Sequence, residues 1–371
     1  MITKYSVCHI TSVHKSNDVR ILLKECSSLA SNGFEVNLVV ANAISENINN
    51  VNIIGVSSNI NSRIGRIIKT VYRVYKVAKS QKSDIYHLHD PELLFIALFL
   101  KNKKNKVLFD AHEDLPRQIL TKYWIPTPAR KVISIFAEVF EDFIVKRLDG
   151  VVAATPFIRD RFKKINFNTV DINNYPLLEE LSNLPSLAKK ENLVVYIGGI
   201  TKERGIVELV KALPLCKSKV ILNLAGDFSP IALKDVVANL EGWKSVNYVG
   251  FVGRQEVKKM LSVSKVGLVT LYPTSNYLDS LPIKMFEYMA CGLPLVVSNF
   301  PYWIELLKNE SCAVFVDPKN ENEIASALDY LLENDKLSIE MGQRGRQSVL
   351  LKFNWEIEEK KLLNFYKSML S

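Results

Sequence analysis

The sequence predicts an α/β protein with two doubly wound parallel sheets that face each other across a cleft. A chain of 371 residues exceeds what one hydrophobic core usually organises, which favours two domains. Strand-like and helix-like segments alternate along both halves, as parallel sheets require. The composition, 48% hydrophobic and 23% charged, is typical of a globular chain. We expect a first domain over 1–176, a linker over 177–192, a second domain over 193–354, and a terminal helix over 355–371 that returns to the first domain.

In the first half, each expected strand is a short apolar run, and each expected helix carries apolar residues three or four positions apart. The helix over 128–148 is amphipathic, with Ile133, Phe136, Phe140, Phe143 and Ile144 on its apolar side. The strands are expected at 6–11, 35–40, 51–56, 84–87, 105–109 and 151–154, and the other helices at 19–30, at 62–82 and from residue 156.

The net charge of +9 is unevenly distributed. Residues 1–176 hold 25 Lys and Arg against 16 Asp and Glu, whereas residues 177–371 hold 23 of each. The first half therefore carries the whole excess and is expected to meet an anionic partner. All five histidines lie in the same half: His9, His14, His87, His89 and His112.

One side of the helix over 62–82 is basic. Its Lys and Arg residues step by three or four, so they share a face, which favours docking to an anionic membrane surface. The alternative is a solvated basic face on a packed helix. No stacking pattern accompanies the charge, so we expect no nucleic acid partner. The residues of this face are Arg63, Arg66, Lys69, Arg73 and Lys76.

Two histidine segments follow expected strands of the first half. His87, His89 and Asp90 suggest a metal site, but no residue nearby in sequence completes the usual ligand spacing, so we expect no metal. His112 lies among carboxylates at the carboxyl end of a strand, where open α/β sheets bind ligands. A histidine held in this way can orient and polarise sugar hydroxyls. The alternative is a polar capping loop.

The second half restarts with a strand at 193–197 and a glycine pair. Gly198 and Gly199 precede a helix over 206–213, which lets backbone amides approach a phosphate, and Lys202 and Arg204 add positive charge. This pattern is weak by itself. Further strands are expected at 220–225, 246–249, 266–270, 295–297 and 313–316, and helices from 255 and 282 and over 321–333, 337–353 and 356–369.

The stretch 279–297 joins a polar loop, a helix and an apolar strand. Pro282 suits the first helical turn, and Gly292 suits the left-handed residue after a helix. Asp279 and Glu287 stand eight residues apart across the helix start. Together with the loop amides, they suit a ligand that has both a phosphate and hydroxyls. The alternative is an ordinary loop–helix–strand unit.

With residues 194–199, this stretch resembles the nucleotide-sugar-binding domain of family 4 retaining glycosyltransferases, which have the GT-B fold. In the first half, residues 87–94 and 110–114 look like segments common in the bacterial polysaccharide branch of that family. The resemblance covers essentially the whole chain, and its specific part is the motif at 279–294.

The resemblance implies roles for the motif. Glu287 matches the acid that holds the ribose hydroxyls. Asp279 stands where the family has a glutamate facing the donor sugar, so its carboxylate is one methylene shorter. Ser280 and Leu281 match loop positions whose amides meet the diphosphate.

Other positions follow in the same way. Arg204 matches the basic residue that binds diphosphate, with Gly198 in the same loop. Gly199 stands where many members have arginine, and Lys202 is the candidate to compensate. His112 matches a histidine that contacts the donor sugar, so His112 and Asp279 are the expected catalytic residues.

The expected activity is metal-independent, retaining transfer of a hexose from a nucleotide sugar to a glycan or lipid-linked acceptor, in capsule or O-antigen synthesis. UDP is the first choice of nucleotide. GDP stays open as the second, because the base contacts around residues 251–254, with Phe251 and Val252 as the binding residues, are expected to come from backbone groups. Alternatives are a sugar-nucleotide epimerase on the same fold, or a non-catalytic protein that binds nucleotide sugar or membrane. A nicotinamide dehydrogenase is disfavoured, because no G-x-G-x-x-G follows the first strand of either domain.

The expected location is the cytoplasm, peripherally on the inner face of the cell membrane. Five cysteines without C-x-x-C spacing favour reduced thiols, and residues 1–4 lead directly into a strand rather than a signal peptide.

Overall fold

The computed structural model describes residues 5–57, 66–122, 125–179 and 192–371, with the backbone alone for residues 66 and 67. The chain divides into two compact units. Unit 1 comprises Met1–Asn174 and Trp355–Ser371, and unit 2 comprises Tyr175–Asn354. Of the predicted linker, residues 180–191 lie outside the described residues.

Unit 1 is built on an eight-stranded sheet in the order β3-β4-β2-β1-β5-β6-β7-β8. All pairs are parallel except β3 with β4. The short edge strand β3 was not predicted, because three residues are too few to show alternation. The strands are β1 (Ser6–Thr11), β2 (Glu35–Ala41), β3 (Glu46–Ile48), β4 (Val51–Val56), β5 (Ile85–Leu88), β6 (Lys106–Ala111), β7 (Gly150–Ala153) and β8 (Thr169–Asp171).

The helices of unit 1 cover the sheet, and its inner strands are almost wholly buried because of this. The first predicted helix begins as a π-helix over Val19–Cys26. This wider winding brings residues five apart together, so that Arg20 and Glu25 lie 3.1 Å apart. The other described helical segments are Ser27–Ser31, Arg66–Thr70 (also π), Val71–Ser80, Pro91–Leu93, Leu94–Leu100, Leu115–Thr121, Thr127–Val145, Pro156–Lys163 and Trp355–Leu370.

The last of these helices packs within unit 1. Trp355 Nε1 donates to Ser28 Oγ (2.9 Å), and a Glu358 oxygen accepts from the amide of Asn173 (2.8 Å). The Tyr366 hydroxyl lies 2.6 Å from His87 Nδ1. These contacts fix the terminal helix against the start and the end of the first 174 residues.

Unit 2 has a six-stranded, all-parallel sheet in the order β11-β10-β9-β12-β13-β14. The prediction of two parallel, Rossmann-like sheets is therefore confirmed. The strands are β9 (Leu193–Ile197), β10 (Ile221–Ala225), β11 (Val246–Gly250), β12 (Val266–Val269), β13 (Leu295–Ser298) and β14 (Ala313–Val316). The helical segments are Lys202–Arg204, Ile206–Ala212, Leu213–Leu215, Leu233–Ala238, Glu241–Ser245, Arg254–Val263, Ile283–Ala290, Pro301–Leu307, Glu321–Glu333 and Asp335–Leu351.

The helix Ile283–Ala290 ends as the sequence indicates. Gly292 has φ +70°, a left-handed conformation that a side chain would strain. The Leu293 amide donates to the carbonyl of Tyr288 (3.0 Å) and closes the helix end. All five cysteines are free. Among the described residues, no helix has both the length and the apolar character needed to cross a bilayer.

Candidate functional site

Each sheet has one point where the strand order reverses, and ligands of open α/β sheets bind beside it, at the carboxyl ends of the strands. In unit 1 this point lies between β1 and β5, because β2 pairs with the other edge of β1. In unit 2 it lies between β9 and β12. Predicted polar residues follow β5 and β6 in unit 1 and β9 and β12 in unit 2, and each unit is described separately below.

In unit 1, Asp110 of β6 is fully buried beside two histidines that follow β5 and β6. Its Oδ2 lies 2.9 Å from His112 Nε2 and 3.2 Å from His89 Nδ1. The His112 side chain is 17% exposed, whereas His89 is fully enclosed. Asp110 therefore holds His112 in place with part of the ring exposed, and the contact of His112 with a sugar stays a prediction.

Arg20 supplies the charge that keeps Asp110 ionised. Its Nη2 and Nε lie 2.9 and 3.1 Å from the two Asp110 oxygens, and its Nη1 donates to the carbonyl of Ile172 (2.8 Å). Burial alone would raise the pKa of Asp110, but Arg20 and then His112 outweigh it and hold that pKa well below its usual range. Burial and then the charge of Asp110 raise the pKa of Glu25 well above its usual range, although Arg20 opposes the shift.

The loop after β1 is organised by a second buried carboxylate. Asp90 accepts from the Ser12 amide (2.6 Å) and the Thr11 hydroxyl (2.8 Å). His14 lies 3.4 Å from Asp90 and 3.3 Å from Asp18, and its hydrogen bond to Asp18 raises its pKa. The His14 and His112 rings are 5.0 Å apart. The first loop therefore contributes to the same corner of unit 1.

The structure brings more possible ligands to His87 and His89 than sequence spacing indicated, since His9 and Glu25 join them. The candidate ligand atoms of these four buried residues all lie within 4.8 Å of one another. However, His9 Nδ1 and His89 Nε2 are 2.8 Å apart, a hydrogen-bond distance. Two nitrogens on one tetrahedral zinc would be separated by about 3.3 Å. The geometry is that of a hydrogen-bonded cluster, and the absence of a metal stays a prediction.

In unit 2, the glycine loop after β9 is held from two sides. The carbonyl of Gly199 accepts from the Tyr196 hydroxyl (2.9 Å) and from Arg204 Nη1 (3.2 Å). Arg204 Nε also donates to the Tyr277 hydroxyl (3.3 Å). A Cβ at Gly226 would lie 1.9 Å from the carbonyl oxygen of Gly198, so only glycine there lets the loop close on β10. Lys202, in contrast, is exposed.

The motif at 279–287 differs from expectation in one contact. The Ser280 amide was expected to face an anion, but it donates to the carbonyl of Tyr277 (3.1 Å) in a tight turn. Its own carbonyl accepts from Trp303 Nε1 (2.8 Å). Asp279 and Leu281 lie half-buried in the same loop, and their roles stay predictions.

Glu287 lies on the helix Ile283–Ala290 and pairs with Arg254, a residue of the predicted base-contacting segment for which no side-chain role was expected. Its Oε1 is 2.8 Å from Arg254 Nη1, and Arg254 opens the helix that follows the loop with Phe251 and Val252. Phe251 is 77% exposed, and Val252 is half-buried. The sequence did contain a signal for this ion pair, since Arg254 is a basic residue at the predicted base-contacting loop.

The same helix is joined to the glycine loop. The Tyr288 hydroxyl accepts from the Ile197 amide (2.8 Å) at the end of β9. The chain therefore places the motif helix beside the loop that carries Arg204. Lys284, one helical turn before Glu287, was also missed, although it and Glu287 are the two charged residues of an otherwise largely apolar helix.

The chain is similar to known glycosyltransferases. Residues 179–348 match the family model described as Glycosyl transferases group 1, and residues 19–172 match Glycosyltransferase Family 4. Phosphatidyl-myo-inositol mannosyltransferase of Mycobacterium leprae is 21% identical over 77% of this chain and 74% of its own length. An uncharacterised glycosyltransferase of Methanocaldococcus jannaschii is 26% identical over 48% of this chain, which spans only 45% of that relative.

Solved structures share the architecture. Sucrose-phosphate synthase from Thermosynechococcus elongatus superposes with a TM-score of 0.80 at 16% identity, over 99% of both chains. HepE of Anabaena, solved in complex with UDP, gives a TM-score of 0.72 at 13% identity, over 98% of this chain and 100% of its own. At these identities, the likeness shows the fold alone. Because the two family matches together span most of both units, the chain belongs to the family 4 glycosyltransferases with the GT-B fold.

Proposed function

We propose that the protein transfers a hexose from a nucleoside diphosphate sugar to a glycan or lipid-linked acceptor, with retention of configuration, in the synthesis of a cell-surface polysaccharide. One observation carries the proposal: the helix with Glu287 is joined to a glycine loop with Arg204, at the switch point of one sheet. That arrangement offers a carboxylate for hydroxyls and a cation for a diphosphate.

The comparisons support the choice of substrates. HepE was solved with UDP, which favours UDP as the nucleotide, with GDP as the second choice. The M. leprae relative is named phosphatidyl-myo-inositol mannosyltransferase, and a lipid in that name favours a lipid-linked acceptor. A capsule or O-antigen glycan is the product that we propose.

The proposed chemistry needs no enzyme nucleophile. As the diphosphate leaves, its growing negative charge is stabilised by Arg204, and by Lys202 if that exposed side chain turns toward it. The acceptor hydroxyl attacks from the face that the phosphate leaves, and the phosphate oxygen takes the hydroxyl proton. We propose that this charge stabilisation works without a divalent metal.

A donor panel tests the function. Purified protein is incubated with UDP- and GDP-sugars, with and without lipid-linked and glycan acceptors, and each reaction is repeated in EDTA. Transfer with an α-configured product from an α-configured donor, unchanged in EDTA, is expected. An epimerised sugar nucleotide in the absence of acceptor would instead identify an epimerase, and nucleotide binding without turnover would identify a binding protein.

Replacing Glu287 with Ala is expected to weaken UDP binding by about tenfold to a hundredfold, because a carboxylate that accepts from hydroxyls makes strong, charge-assisted hydrogen bonds. Calorimetry on the folded variant measures this change. Glu256→Ala is the matched control, because Glu256 is an exposed acid of the neighbouring helix that pairs only with surface Lys259 in the described residues. Equal UDP affinity in wild type and Glu287→Ala would remove Glu287 from the site.

We propose that unit 1 docks to an anionic membrane surface, and two surface features support this proposal. The first is the predicted basic face. Lys69, Arg73 and Lys76 are exposed on it, and Val71 and Val74 anchor the same segment in the core. Arg63 lies outside the described residues, as does the side chain of Arg66.

The second feature was not expected. The helix Thr127–Val145 turns its apolar side outward, because buried Ser134 and Glu141 face the protein instead. The Phe95 and Phe140 rings, 4.6 Å apart, join this side to the helix Leu94–Leu100. The exposed apolar side chains are Phe95, Phe99, Val132, Ile133, Ile135, Phe136, Val139 and Phe143. This outward stripe lies on the unit with all the excess positive charge, a combination that suits an anionic lipid surface.

The double variant Phe136→Asp and Val139→Asp is expected to lose most binding to phosphatidylglycerol vesicles, because two carboxylates would enter the apolar stripe. Both residues are more than half exposed, so folding should be unaffected. Vesicle co-sedimentation measures binding, with neutral phosphatidylcholine vesicles and the exposed-site variant Phe167→Asp as controls. Light scattering that shows wild type to be a dimer and the variant a monomer, with equal vesicle binding, would assign the stripe to self-association.

A further inference from the structure

Lys284 is a buried lysine whose ammonium makes no hydrogen bond. It is the second residue of the helix Ile283–Ala290 and is 8% exposed. Its Nζ lies 3.6 Å from the centroid of the Tyr196 ring and has no hydrogen-bond partner. Burial, and then the charge of Arg204, lower its pKa well below the usual range. Enclosing an amine in this way is unfavourable for the free protein, which points to a partner that arrives from outside.

Lys284 and Arg204 both approach Gly198 of the glycine loop, at the place where a side chain of residue 198 would lie. A Cβ built on Gly198 would lie 3.5 Å from Arg204 Nη1 and 4.0 Å from Lys284 Nζ. In the part of the chain that the structure describes, neither side chain forms an ion pair. Two uncompensated basic groups therefore converge beside a residue with no side chain.

We propose that Lys284 binds the diphosphate of the sugar donor together with Arg204, and so supplies the second cation that many relatives place at the position of Gly199. This inference rests on the proposed function, since it names a further residue of the same donor site. It also replaces Lys202 as the compensating residue, because Lys202 is exposed whereas Lys284 is enclosed next to Gly198.

A diphosphate suits this position on physical grounds. Its oxygens can accept from the ammonium and from the guanidinium at once, and they supply the counter-charge that both groups lack. The ammonium is a compact point charge behind the loop, and Arg204 presents a planar fork, so the two can contact different oxygens. As the sugar leaves and charge accumulates on the diphosphate, both contacts strengthen.

The test compares wild type with Lys284→Met, which keeps the length of the side chain and removes the charge. Calorimetry with UDP, UMP and uridine is expected to show UDP binding weakened about tenfold to a hundredfold, and uridine binding unchanged. GDP, GMP and guanosine are run in parallel. Lys234→Met is the matched control, because Lys234 also lies over a tyrosine ring of unit 2 but is exposed.

A second variant distinguishes loss of the positive charge from a folding defect. Gly199→Arg in the Lys284→Met background should regain UDP affinity, since Gly199 has no positive φ and a side chain there would meet only the end of Arg204, at 3.3 Å. Thermal unfolding of Lys284→Met should occur no lower than in wild type, because an apolar isostere replaces a buried amine.

The outcomes separate the two proposals. If wild type binds neither UDP nor GDP, the proposed function fails. If wild type binds UDP and Lys284→Met binds it equally well, the inference is overturned while the function stands. Loss of uridine and UDP binding to the same extent, without recovery by Gly199→Arg, would show a general disturbance of the site and also overturn the inference.

Discussion

Replacing Arg20 with Met will lower the free energy of unfolding of unit 1 by about 3–5 kcal/mol, the usual effect of removing one partner of a buried ion pair. Arg20 is 4% exposed and contacts Asp110 through two nitrogens, while Nη1 holds the carbonyl of Ile172. Without the guanidinium, Asp110 stays buried next to Glu25 and loses its ion-pair partner. Arg20 lies on the π-helix Val19–Cys26 and Asp110 lies on β6, so the ion pair connects these two elements. Its removal therefore affects the centre of unit 1.

Urea unfolding monitored by circular dichroism measures this effect. Arg159→Met is the control, since Arg159 and its partner Asp160 are 31% and 63% exposed, and only its second partner, Asp171, is more enclosed. Ion pairs of exposed groups contribute less than about 1 kcal/mol. Similar midpoints for the two variants would mean that the Arg20 pair is not a principal source of stability.

The same pair predicts how stability depends on pH. The pKa of Asp110 is lower in the folded chain than the value of roughly 3.9 in an unfolded one. Its contribution is therefore present above about pH 4 and is lost as the pH falls through the lower, folded pKa.

Replacing His112 with Ala will reduce kcat by about a hundredfold to a thousandfold, the typical effect of losing one positioned donor at a reacting centre. Asp110 orients the His112 ring at 2.9 Å, and part of the ring remains open. If His112 contacts the donor sugar, as the family resemblance implies, its loss should act on the chemical step. UDP affinity should be unchanged, because the nucleotide is expected to bind unit 2.

His14→Ala provides the contrast. His14 belongs to the loop after β1, and its ring lies 5.0 Å from that of His112. We therefore expect it to contact the acceptor beside the donor sugar, so its loss should raise the acceptor KM more than it lowers kcat. Steady-state kinetics of both variants with one donor and one acceptor separate the two roles. A His112→Ala enzyme with wild-type kcat would leave His112 as a structural partner of Asp110.

The sequence predicted the two parallel sheets and most of their strands and helices, because these depend on local patterns, but not the edge strand β3 or the π-helical winding of Val19–Cys26. Apolar runs that alternate with helices predicted two parallel sheets, and the structure has them. Gly292 was predicted to follow a helix in the left-handed conformation, and it does. The position of His112 after β6 also followed from the chain, since the carboxyl ends of parallel strands share one edge. Even the uneven distribution of charge between the halves can be counted in the sequence.

Only the tertiary structure decided which residues face each other. Periodicity identified the helix Thr127–Val145 as amphipathic but not the direction of its apolar side, which depends on whether neighbouring elements cover it. It could not show that Arg20 neutralises Asp110, ninety positions away, or that Glu287 pairs with Arg254. Lys284 looked like one polar residue in an apolar helix. Its buried position beside Arg204 and Gly198 arises from packing between segments distant in sequence, and no local pattern specifies such contacts.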